Sequence, residues 1–274
     1  MGLEGAAALP GALSDWGPAQ LAAVAIAGYL VVGEPFVGHA LHRRFEARLS
    51  TDPAARRTLY RRLLVLEWGL ALIALVVWLS APGVTAAQVG LSWPQRWPGV
   101  LTSIACLLLL ALVTWSTVAL RSGALADPPA PAAPAAPAAP AAVRSGEARH
   151  AEPPGSSTVA LLPRTQQERR LFAVVGVTAG VCEEWLYRGF FIALVAAVAP
   201  GLPGPVLVLV AALAFGLAHA YQGLAGVVTT GVLGGVLAAV YLSSGSLLLP
   251  VLLHAVIDLR FLLVPPSALP AVAR

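Results

Sequence analysis

Apolar runs of bilayer-crossing length recur along this chain, at about 19–39, 63–81, 99–120, 171–199, 205–221, 224–242 and 247–264. A helix needs roughly 17 to 25 mostly apolar residues to cross the hydrocarbon. The pattern predicts an all-α fold, a polytopic transmembrane helical bundle of about seven spans. An eighth span requires the 171–199 run to split or the N-terminal segment to insert. Composition points the same way, because 58% of the 274 residues are hydrophobic and 11% charged, against about 25% charged in soluble domains.

All seventeen basic residues are arginines, and their placement sets the expected orientation. Arg43, Arg44, Arg48, Arg56, Arg57, Arg61 and Arg62 crowd the first connection. Arg121, Arg144, Arg149, Arg164, Arg169 and Arg170 fall around the third, whereas the second has only Arg96. The positive-inside rule then puts the N-terminus outside and the C-terminus in the cytoplasm. The start, MGLEGAAALPGALSDWGPAQ, has no basic n-region, so the first span is expected to stay as an anchor. The basic balance reports topology and contact with lipid head groups, not nucleic acid. Abundant Ala, Gly, Pro and Arg without lysine fit a bacterial chain, which places it in the cytoplasmic (inner) membrane. Cys106 and Cys182 both fall within spans and read as buried apolar residues, not a disulfide.

The repeat ADPPAPAAPAAPAAPAAVRSGEARHAEPPGSS cannot pack as a core, since its prolines favour extended polyproline geometry. It divides the chain into a membrane half at 1–121, a cytoplasmic tether at 122–163 and a second membrane half at 164–274. Glu34 and Glu67 in the first half read as near-interface carboxylates paired with arginines or polar backbone. The second half carries polar residues at helical spacing: Glu183, Glu184 and Arg188, then Phe215 and His219, then His254 and Asp258. Residues four apart share a helix face. Glu184 is expected to pair with Arg188, leaving Glu183 free, and His254 with Asp258 to face one cavity. A charge at mid-helix costs roughly 2.5–3.5 kcal/mol on insertion scales. Charges recurring on three of four spans therefore mark a shared interior site. Gly231 and Gly235 predict close helix packing, Pro250 predicts a kink before His254, and Tyr221 and Gln222 are candidates for the cavity mouth.

In order, EEWLYR (183–188), FGLAH (215–219) and HAVID (254–258) resemble the EExxxR, FxxxH and HxxxN/D motifs of the CPBP (Abi) membrane proteases, the type II CAAX prenyl endopeptidase and bacteriocin-processing family. The resemblance covers roughly 168–264 and also includes RGFF and YLSSGSLLLPVLLH. Asp258 stands where the prenyl endopeptidases typically have Asn, a variation found in the wider bacterial family.

The resemblance implies intramembrane proteolysis of a membrane-associated protein or peptide, with the catalytic core in the last four spans. Glu183 is then the general base on water that His219 helps to hold. His254 donates to the oxyanion and Asp258 orients it. Glu184 and Arg188, with Phe215, shape the site or hold the substrate backbone. No cofactor is favoured; the competing version makes Glu183, His219 and His254 zinc ligands. The other functional readings are a non-catalytic scaffold or bacteriocin-immunity protein of the same family and, less favoured, a transporter. His219 is expected near the cytoplasmic end of its span and Glu183 about 12 residues in, roughly 18 Å deep.

Overall fold

A computed structural model describes residues 9–122 and 159–270. Among them all regular structure is helical, and the bundle has the expected all-α membrane architecture. The helices are α1 (Gln20–Gly28), α2 (Glu34–Leu49), α3 (Ala55–Leu79), α4 (Val100–Arg121), α5 (Gln166–Glu183), α6 (Ile192–Val198), α7 (Gly204–Ala218), α8 (Gly223–Ser244) and α9 (Leu248–Leu259). Four helical stretches are long and apolar enough to cross a membrane: Leu13–Leu49, Ala55–Leu79, Val100–Arg121 and Ala220–Ser244. Val65, Ile73 and Val76 on α3, and Leu101 and Leu108 on α4, are exposed, as lipid-facing side chains should be. The protein is an integral membrane protein.

The first helical stretch begins at Leu13, earlier than expected, and Trp16 is fully buried against Phe190, with ring centroids 5.3 Å apart. It continues to Leu49, so Arg43, Arg44 and Arg48 lie on α2 and not in a loop. Arg56, Arg57, Arg61 and Arg62 likewise lie on α3, leaving a short turn between the two helices. Between α1 and α2, Tyr29–Gly33 is π-helical. Pro35 supplies the cause: it has no N–H, and its ring presses on the carbonyl four residues back, at Val31. Widening that turn relieves the clash without ending the helix.

Helix α5 starts in a capping box. The Thr165 hydroxyl accepts from the Glu168 amide at 3.2 Å, and Glu168 Oε2 accepts from the Thr165 amide at 2.9 Å. Before it, residues 159–163 of the expected tether are packed: Arg56 Nε donates to the Ala160 carbonyl at 2.9 Å, and Leu162 is buried beside Val264 and Leu269. The remainder of the tether, 123–158, lies outside the described residues.

Glycines set the closest helix contacts. A Cβ on Gly216 of α7 would stand 2.7 Å from the Val227 carbonyl and 3.2 Å from Gly231 Cα on α8. One on Gly235 would touch Ala212 at 3.4 Å, so Gly231 and Gly235 do form the expected close seam. A Cβ on Gly180 of α5 would meet Ala255 N at 3.0 Å and the Val251 carbonyl at 3.1 Å on α9. That approach brings the α5 acids and the α9 histidine together. Pro250 does not kink its span, because α9 begins only two residues earlier. In the first turn its missing N–H has no helical partner to lose.

Candidate active site

Glu184 to Phe191 form a second π-helical segment, continuous with α5, and all eight of its residues are buried. The wider turn changes which faces the motif residues present, and such segments recur at functional sites. Glu184 and Arg188 pair as expected, at 2.8 Å, with both side chains fully buried. Arg188 also donates to the Gly234 carbonyl at 3.2 Å and lies 4.3 Å above the Phe215 ring. Phe215 is 1% exposed. Enclosed on these sides, Arg188 and Glu184 are buried and do not line the cavity that holds Glu183 and His219.

The same Glu184 oxygen that meets Arg188 lies 2.7 Å from His254 Nδ1. His254 Nε2 is 3.8 Å from Glu183 Oε2 and 3.8 Å from Asp258 Oδ2, beyond hydrogen-bond reach of either. Glu184, and not Asp258, is therefore the carboxylate within hydrogen-bond reach of the His254 ring. The two acids that flank Nε2 are the more accessible ones, with Glu183 20% and Asp258 29% exposed.

His219 caps the C-terminus of α7. Its Nδ1 is 2.9 Å from the Phe215 carbonyl, which can only accept, so Nδ1 carries the hydrogen and Nε2 is left unprotonated in the neutral ring. Helix α7 has 15 residues, about 22 Å of rise against roughly 30 Å of hydrocarbon.

Glu183, His219, His254 and Asp258 all line one cavity of about 650 Å³. Tyr221 and Gln222 line it too, as does Arg260. The expected set of Glu183, Glu184, Arg188, Phe215, His219, His254 and Asp258 is thus gathered from α5, α7, α9 and the π-helical turn.

Residues 165–260 match the family model for type II CAAX prenyl endopeptidase Rce1-like proteins. This segment is similar to an Rce1-like domain. The match is consistent with the CPBP resemblance, and it runs from the Thr165 cap to two residues past Asp258, enclosing all three motifs. No curated protein and no solved structure matches the chain.

Two carboxylates outside the Rce1-like domain also line the cavity: Glu34 on α2 and Glu67 on α3. Neither pairs with an arginine as expected. Glu34 interacts with the Tyr29 side chain, and Glu67 Oε2 is buried without a hydrogen-bond partner. The first membrane half is therefore part of the cavity wall. The signal was visible as a carboxylate inside each apolar run, but a paired interface residue leaves the same trace. The alternative zinc ligands Glu183, His219 and His254 all line this cavity, and among the described residues no group of three His, Cys, Asp or Glu side chains is arranged to hold a metal.

Proposed function

We propose that the Rce1-like domain is a glutamate-dependent endopeptidase that cleaves a membrane-associated protein or peptide. The observation that carries this reading is the aim of His254: a buried Glu184–Arg188 pair grips Nδ1 and turns Nε2 toward Glu183 and the cavity.

Glu183 takes a proton from a water as the water oxygen attacks the scissile carbonyl carbon. His219 holds that water through its free Nε2. The developing oxyanion is met by His254 Nε2–H, which requires a doubly protonated ring, and the carboxylates of Glu184, Glu183 and Asp258 compensate that charge. When the C–N bond breaks, Glu183 passes its proton to the leaving nitrogen and is regenerated. Asp258 faces the same nitrogen of His254 as Glu183 does and serves the charge balance of the ring.

With the arginine-rich helix ends in the cytoplasm, substrates enter from that side of a bacterial inner membrane. The test is cleavage of membrane-peptide libraries by purified protein in detergent. Activity should be lost in both Glu183→Gln and His219→Ala, and full activity in either folded variant would reject the reading.

A further inference from the structure

Glu67 is an ionisable cavity residue that the proposed hydrolysis leaves without a task. It projects from α3, outside the Rce1-like domain, into the cavity that holds Glu183, His219, His254 and Asp258. Its Oε2 is buried with no hydrogen-bond partner, whereas Glu34 interacts with the Tyr29 side chain and leaves no buried oxygen unpartnered. Among the described residues no arginine forms an ion pair with Glu34, Glu67, Glu183 or Asp258; the last two meet only His254, at 3.8 Å each. The chain has no lysine to offer. Arg260 lines the cavity but is directed elsewhere, donating to the Ile257 carbonyl at 3.2 Å and stacking 4.3 Å from the Phe261 ring.

Much of the remaining wall is apolar. Leu63, Leu66 and Leu70 come from α3, and Leu109, Leu112 and Val113 from α4. His254 serves Glu183 and Asp258, but Glu67 has no ion-pair partner among the described residues of this wall, and it gains most from a ligand that brings the missing charge on an apolar stem. Lysine and arginine side chains have that form, with a cationic head on a chain of methylenes.

We propose that Glu67 is a specificity-determining residue that binds the side-chain cation of a substrate lysine or arginine beside the scissile bond, while the leucine-lined wall takes the neighbouring apolar residues. The proposal rests on the protease reading for its enzymatic meaning, but the subsite itself binds independently of cleavage.

The full-length protein in detergent is therefore tested first by thermal unfolding with hexylamine, hexanol and hexanoate. Hexylamine should raise the wild-type midpoint by roughly 3 °C or more at saturating concentration. The shift should be mostly lost in Glu67→Gln, retained in Glu67→Asp and retained in Glu34→Gln. Equal hexylamine shifts in wild type and Glu67→Gln, or a hexanol shift as large as that of hexylamine, would overturn the cation subsite. If Glu67→Gln does not fold, the comparison of hexylamine with hexanol on wild type decides.

The second arm is a peptide library. Glu67→Gln should lower kcat/KM about tenfold or more for peptides with lysine or arginine near the cut, with neutral peptides nearly unaffected; equal losses on both sets would overturn the assignment. A wild type that cleaves nothing yet shows the Glu67-dependent hexylamine shift would reject the protease reading and leave the cation subsite standing.

Discussion

His254 Nδ1 lies 2.7 Å from Glu184 Oε1, and the same oxygen lies 2.8 Å from Arg188 Nη1. One carboxylate oxygen thus joins the π-helical segment to α9 and fixes the ring of the cavity histidine. Glu184 and Arg188 are both fully buried, so the site's electrostatics and its stability share the same atoms.

Arg188→Met removes the cation and leaves Glu184 as a buried charge short of a partner. Breaking a buried pair in this way costs about 3–5 kcal/mol. Adding Glu184→Gln removes the second charge, and the double variant should recover much of the lost thermal stability. Cleavage should stay low in both, because His254 has lost its charged anchor. Unfolding midpoints in detergent, read beside activity, check both halves.

Gly180→Ala places a methyl 3.0 Å from the Ala255 amide nitrogen and 3.1 Å from the Val251 carbonyl, both backbone atoms that cannot turn aside. Helices α5 and α9 must separate, at about 1–3 kcal/mol. A displacement of that kind between Glu183 and His254 should lower kcat by roughly tenfold or more. Gly28→Ala in α1 is the control, since nothing lies within 4 Å of the added atom. It should gain about 0.5–1 kcal/mol and leave activity unchanged.

Phe215→Leu keeps an apolar side chain but removes the ring under Arg188, 4.3 Å from its guanidinium, and the edge contact to His254 at 5.9 Å. The lost cation–π contact is worth up to about 2 kcal/mol in a desolvated site. Because Phe215 is 1% exposed, the expected change is a fall in kcat with little change in KM, measured by steady-state cleavage.

The site reading also sets an outcome for metal removal. In the proposed mechanism Glu183 activates the water directly, with no bound ion. Activity should survive dialysis against a strong chelator. Loss of cleavage with chelator and its return with stoichiometric zinc would move the chemistry to the metal version.

Much of the bundle was legible because helix periodicity and apolar length are local properties. The Glu184–Arg188 pair and the Gly231–Gly235 seam follow directly from spacing along one helix. What spacing could not supply was the contact between helices. Asp258 looked like the partner of His254 because it lies one turn away on the same helix, yet Glu184, 70 residues earlier, holds the ring. The π-helical turns were invisible for a related reason: a regular 3.6-residue period was assumed through them. Glu67 was misread because one arginine a turn away in sequence suggested a pair, while the fold turns its carboxyl into the cavity.

The central claim is that Glu183 and His219 act together to hydrolyse a peptide bond. Quantitative proteomics of membranes from cells carrying wild type, Glu183→Gln or His219→Ala at equal protein levels tests it most directly. The account predicts that the same uncleaved precursor accumulates in both variants and is absent from wild type. Identical membrane peptide profiles in all three strains, with both variants folded and correctly inserted, would contradict it.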